Sequence, residues 1–174
     1  MTPRERPILF SCEMIRAIIE GEKWQTRRTI NRHYGEIGDR LWVRETWMPD
    51  PYINSAASTI YRATEPELEK YSGHAWKPSI FMPRIRSRIT LEIQSVRVEP
   101  LQDISEEDAI AEGCSITERA EGNYFNGGRH PVKGVPKVFA CARAAYHDLW
   151  DSINCKKHPW ISNPMVWVIQ FRRI

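Results

Sequence analysis

A short segment near the start of the chain, "GEKWQTRR" at residues 21–28, places Lys23, Thr26, Arg27 and Arg28 within six positions. A lysine, a hydroxyl group and two arginines this close together could form the floor of a catalytic or anion-binding pocket. The same four side chains could also be ordinary surface residues. The elements predicted around them show what could position these groups.

The segment lies between a predicted helix and a predicted strand. Residues 11–20 have apolar side chains at helical spacing, Ser11 is suited to cap the first turn, and Gly21 is suited to end the helix. The β-branched and aromatic residues of 23–30 then favour a strand.

Further strands are predicted at 40–47, 58–63, 86–100 and 165–174, with a bulge or bend near residues 94–95. Helices are predicted at 104–113, capped by Ser105 and ended by Gly113, and at 137–154, with an apolar stripe that starts at Val138. Strands outnumber helices and do not alternate with them, so the pattern favours an α+β fold: a curled antiparallel sheet or small barrel with helices at its ends. We expect a single domain over residues 1–174, with added segments at 48–80 and 114–136.

Charge is uneven along the chain although the net charge is only +3. Residues 76–97 are rich in arginine, whereas residues 99–121 are rich in aspartate and glutamate. This distribution suits a polar cleft with oppositely charged walls, and it equally suits two solvated faces. The hydrophobic content of 41% and the seven tryptophans argue against a wholly disordered chain.

Cofactor and metal motifs are weak in this sequence. Cys155 and His158 are close together, but no second ligand pair of the kind found in structural zinc sites accompanies them. The glycine-rich "FNGGRHPVKG" lacks the spacing of a phosphate-binding loop. We therefore predict that the protein uses neither a metal nor a cofactor. We also predict reduced cysteines, no membrane association and a cytoplasmic location.

Several separated motifs resemble one known family. The segments "GEKWQTRR", "GDRLWVRETW", "SRITLEIQSVRVEPL", "SEEDAIAEG" and "VWVIQFRR" are similar, in this order, to those of the ASCH family. That resemblance implies a PUA-like, mostly antiparallel β-barrel with helices covering its ends. The segments "GDRLWVRETW", "KPSIFMP" and "DLWDSIN" resemble the phage- and prophage-encoded branch.

The resemblance also implies a reaction and the residues that perform it. Bacterial members hydrolyse the amide of N4-acetylcytidine without a metal, using a lysine and a threonine of the G-x-K-x-x-T segment and a glutamate at the end of the acidic helix. By position these are Lys23, Thr26 and Glu112. The residues expected to bind the modified cytosine nucleoside are Trp24, Arg28 and Arg44.

A different class of function remains open. Other family members bind or cleave RNA, and the alternative is an RNA-binding module or ribonuclease without amidohydrolase activity. Single-stranded RNA would then contact arginines along the chain. If residues 84–88 form a strand, the side chains of Arg84, Arg86 and Arg88 would project from one face, at a spacing close to that of the phosphates in an extended single strand. The predicted phosphate-binding residues are Arg27, Arg84, Arg86 and Arg88.

Overall fold

The computed structural model describes residues 2–50, 52–53, 58–68, 73–114, 116–119, 122–125 and 138–174, of which 116–119 and 122–125 are described by their backbone alone. The fold is α+β, as predicted. Its centre is a mixed five-stranded sheet with the order β1-β3-β6-β9-β2. These strands are β1 (Glu5–Leu9), β2 (Gln25–Thr29), β3 (Arg40–Arg44), β6 (Thr90–Pro100) and β9 (Met165–Arg173).

The sheet is mostly antiparallel, with one parallel pairing between β1 and β3. The register of β6 against β9 shifts between Ile93 and Ser95, which confirms the predicted bulge. No hydrogen-bonded pairing joins the two edge strands β1 and β2 within the described part of the chain, so a closed barrel is not found. The edges are nevertheless near each other, because the Arg28 guanidinium on β2 donates to the Leu9 carbonyl on β1 at 2.7 Å.

The first helix, α1 (Cys12–Glu20), begins and ends where the sequence predicts. The Ser11 hydroxyl accepts a hydrogen bond from the Met14 amide, and Gly21 ends the helix with φ at 80°. The second helix, α2 (Glu106–Ala111), is capped by Ser105, again as predicted. None of the helices in the described residues is long and apolar enough to cross a membrane.

The third helix, α3 (Ala142–Asn154), starts five positions later than predicted. Its first amide, on Ala142, donates to the Glu106 carboxylate at 2.7 Å, so a side chain from α2 fixes the start of α3. The prediction that Val138 belongs to the apolar stripe of this helix is therefore wrong, and Val138 is exposed.

Two clusters of buried side chains lie on either side of β9. One contains Ile15 of α1 together with Phe171, and the other contains Tyr146 of α3 together with Val168. Since β2 pairs with β9 along its whole length, it lies next to the strand that contributes to both clusters.

The arginine-rich segment departs from its predicted structure. The strand β6 begins at Thr90, and Arg84–Arg86 form a short 3-10 helix after Pro83. The expected row of three arginines on one strand face is therefore wrong. Proline fixes the backbone at the start of this turn and disfavours an uninterrupted strand.

The two added segments contain short strands in their described parts. The strand predicted at 40–47 is divided, because β3 ends at Arg44 and Trp47 begins β4 (Trp47–Pro49), which runs into the 48–80 segment and pairs there with β5 (Thr59–Tyr61). Within 114–136, β7 (Ile116–Arg119) pairs with β8 (Gly122–Phe125), where a loop was predicted. Residues 126–136 of that loop lie outside the described residues.

Replacing Gly21 or Gly113 by alanine is expected to lower the free energy of unfolding by about 1–2 kcal/mol each, because both have a left-handed backbone. A Cβ at Gly21 meets nothing within 4 Å, and one at Gly113 makes ordinary contacts, the nearest with the Lys23 Cβ at 3.4 Å. Urea denaturation should therefore give similar losses for the two variants. A much larger loss for Gly113→Ala would contradict this, and Glu22→Ala serves as an exposed control.

Candidate active site

Lys23 is a buried lysine held between two distant parts of the chain. The residue as a whole is 2% exposed, and its Nζ donates to the Glu112 carbonyl at 2.7 Å and to Glu112 Oε2 at 2.8 Å. The turn after α1 positions it, because the Lys23 amide donates to the Ala17 carbonyl. The next amide, on Trp24, donates to the Ala111 carbonyl at 3.1 Å, which ties this segment to the end of α2.

Glu112 directly follows α2 and is also buried, at 3% exposure. Its amide still donates to the Asp108 carbonyl, so the residue continues the helical path before Gly113 turns the chain away. Its two carboxylate oxygens have different partners: Oε2 accepts from Lys23, and Oε1 accepts from Arg27 at 3.5 Å. Lys23 and Glu112, two of the residues that the resemblance implies act in one reaction, are therefore in direct contact although 89 positions separate them.

The electrostatic surroundings make Lys23 a weaker base than an exposed lysine. Burial lowers the pKa of Lys23, and the nearby Arg28 cation acts in the same direction. The Glu112 carboxylate opposes this change by charge and by hydrogen bonding. A lysine in this setting can exchange its proton with its carboxylate partner more easily than one in water can.

A cavity of about 130 Å³ lies beside this pair. Thr26 and Glu112 both contribute to its wall, so the predicted threonine and glutamate face the same space. Lys23 is linked to the cavity through its bonds to Glu112. The remaining wall is formed by Met14, Arg27, Arg28, Thr29, Tyr34, Tyr146, Leu149, Trp150, Ile153 and Asn154.

Tyr146 is a site residue that the sequence did not reveal. It lies on α3 at a position predicted only to be part of the apolar stripe, and no local signal distinguishes it from its neighbours. Burial raises the pKa of its phenol well above the usual value, with the Glu112 charge acting in the same direction. The phenol is therefore neutral at physiological pH and can donate a hydrogen bond.

Arg27 has a place different from the one predicted. Its side chain is fully buried, and its Nη2 donates to Glu99 Oε1 and Asp108 Oδ2 at 2.6 Å each. Arg97 binds the same two acids from the outside. A phosphate could reach Arg27 only by displacing these carboxylates, so the predicted contact with RNA does not fit its geometry.

Two predicted substrate-binding residues are not brought to the cavity. Trp24 is 44% exposed and is not part of the wall. Arg44 lies at the end of β3 with its guanidinium 4.7 Å from the centre of the Trp42 ring. Arg28 does line the cavity, and it packs over the Phe10 ring at 5.0 Å.

The three arginines of the predicted phosphate row have separate protein partners. Arg84 pairs with Glu5, and Arg88 pairs with Glu45. Arg86 donates to the Ser58 carbonyl and the Thr59 hydroxyl.

The cysteines are free thiols, and none lies in a cluster of metal-binding type within the described residues. Cys114, the buried one, lies beside Glu112, and burial raises its pKa to about 12. Such a thiol is protonated at neutral pH and is a poor nucleophile.

A comparison of the chain with protein-family models, curated proteins and solved structures found no match.

Proposed function

We propose that this protein is an amidohydrolase that removes an acyl group from N4 of a cytosine nucleoside. The observation that carries the proposal is the buried Lys23–Glu112 pair beside a cavity whose wall includes Thr26. These three residues are the ones that the resemblance to the ASCH family implies. A buried lysine and carboxylate that share a proton suit a reaction in which one proton is taken up and another is delivered.

The fold proposed with this function is the PUA-like barrel of a cytoplasmic, phage-type ASCH protein. The approach of the edge strands β1 and β2 supports it, since the Arg28 side chain on β2 reaches the Leu9 carbonyl on β1. Glu112, directly after α2, and Tyr146, on α3, line the same cavity, as expected if these two helices cover one end of a barrel.

The proposed reaction starts with one proton shared by Lys23 and Glu112. In the form with a neutral amine and a carboxylic acid, Lys23 accepts a proton from the Thr26 hydroxyl or from a water that attacks the acyl carbon. Glu112 then donates its proton to N4 as the C–N bond breaks. The pair is left as ammonium and carboxylate, with one proton between them again; where Thr26 is the nucleophile, water afterwards releases the acyl group as an acid.

Other wall residues suit the binding of a planar base. Tyr34, Tyr146 and Trp150 supply aromatic surface on which a pyrimidine can pack. Arg28 Nε is a buried donor without a hydrogen-bond partner within the described residues. An acyl oxygen that becomes negative during attack would satisfy this donor.

The test is a screen of acylated cytosine nucleosides and short single-stranded RNAs against the purified protein in chelator. Hydrolysis of an N4-acyl group, followed by chromatography, is the expected result. Thr26→Val should then lower kcat by about 10²–10⁴-fold, because it removes the hydroxyl and keeps the shape. Thr90→Val, on β6 and away from the cavity, should retain the parent kcat.

A protein that hydrolyses none of these nucleosides would refute the proposal. RNA binding that weakens steeply with salt, without hydrolysis, would instead favour the RNA-binding alternative. Hydrolysis that survives Thr26→Val unchanged would show that Thr26 is not required and that water attacks directly.

A further inference from the structure

The acidic and basic groups around Glu112 form a connected, charge-balanced network. Lys23 and Arg27 bind opposite oxygens of Glu112, and Arg27 continues to Glu99 and Asp108. Arg97 closes a ring by binding both of these acids, at 2.9 Å and 2.6 Å. Three cations therefore alternate with three carboxylates.

Arg27 is the member of this network that joins the site to its surroundings. Its Nη1 contacts Glu112 Oε1, while its Nη2 is held by Glu99 from β6 and Asp108 from α2. The planar guanidinium is rigid, so fixing one nitrogen also fixes the direction of the other. Although burial acts in the opposite direction, the Arg27 hydrogen bond and the charges of Arg27 and Arg97 lower the pKa of Asp108, which keeps this anchor charged.

We infer that Arg27 is a positioning residue for the proposed reaction: its two-pronged guanidinium holds the Glu112 carboxylate by Oε1, so that Oε2 stays on Lys23. This inference rests on the proposed function for its kinetic consequences, but the contact itself does not depend on the substrate. Without Arg27, Glu112 could rotate away from Lys23 and would lose a neighbouring cation. The charged and titratable groups that remain around Glu112 are Lys23, Arg28, Cys114 and Tyr146.

Kinetics of Arg27→Met provide the first test. We expect kcat to fall at least about tenfold with KM within about threefold, because the guanidinium holds Glu112 instead of the substrate. Arg97→Met is the matched control: it removes an arginine from the same ring that does not contact Glu112, and its kcat and KM should stay close to those of the parent.

A second measurement needs no activity. In protein labelled with ¹⁵N-lysine, the Lys23 Nζ–H signal should be protected from exchange in the parent and in Arg97→Met, because Lys23 is buried and bound to Glu112. It should broaden or exchange rapidly in Arg27→Met. This measurement tests the role of Arg27 even if the protein hydrolyses none of the nucleosides. Such an absence of hydrolysis would refute only the proposed function.

Arg27→Lys keeps the test valid if Arg27→Met does not fold. A lysine retains the charge but cannot hold Glu112 and the two anchoring acids at fixed angles together. We expect kcat and Lys23 protection below those of the parent. Parent-like kcat and parent-like Lys23 protection in the folded Arg27 variants would overturn the inference.

Discussion

Replacing Lys23 by methionine is expected to abolish hydrolysis and to lower the free energy of unfolding by about 3–5 kcal/mol, because the change leaves the buried Glu112 carboxylate without its closest cation. From the sequence, a lysine in an exposed or cleft position would contribute little to stability. The structure contradicts that premise, since the Lys23 side chain is 1% exposed. Urea denaturation and a nucleoside hydrolysis assay measure the two effects separately.

The double variant Lys23→Met/Glu112→Leu distinguishes an unpaired charge from a lost contact. Removing both partners takes away the buried carboxylate, so it should recover most of the stability while remaining inactive. Lys156→Met is the control at an exposed lysine and should stay within about 0.5 kcal/mol of the parent. If Lys23→Met were as stable as this control, the buried ion pair would contribute nothing to folding.

Replacing Arg88 by methionine is also expected to lower the free energy of unfolding by about 3–5 kcal/mol. Glu45 is 1% exposed, and Arg88 binds both of its carboxylate oxygens at 2.9 Å. The same guanidinium lies 4.0 Å from the centre of the Tyr61 ring, so β5 also loses a contact. Urea denaturation measures the change.

Arg84→Met is the matched control for Arg88→Met. Arg84 comes from the same predicted phosphate row, but it pairs with Glu5 and both side chains are exposed. Such a surface pair contributes about 0–1 kcal/mol. Equal losses in the two variants would show that the burial of Glu45 is not what makes Arg88 important.

The sequence predicted those elements whose signals are local. Ser11 and Gly21 bracket α1 because caps act on the nearest turn, and the bulge in β6 follows from a change of phase in the apolar pattern. The start of α3 was missed because Glu106, 36 positions away, caps its first amide. Pro83, which begins the 3-10 turn, was a local signal that could have separated Arg84 and Arg86 from β6.

The site was predictable only in part for the same reason. Periodicity contains no information that brings Glu112 to Lys23, and the pairing came from the family resemblance alone. Arg27 was predicted to contact RNA as one of the phosphate-binding arginines of the RNA-binding alternative. Its actual surroundings depend on Glu99 and Asp108, which β6 and α2 bring together in three dimensions.

The pairing of β2 with β9 determines when this site can exist during protein synthesis. Gln25 lies opposite Gln170 in the sheet, and their side chains are hydrogen-bonded across 145 positions. At about 5–20 residues per second, a ribosome takes on the order of ten seconds to make the intervening chain. Throughout that time β2 lacks its only strand partner within the described residues, so a nascent chain cannot bury Lys23 against a finished sheet, and the site is completed after β9 has been made.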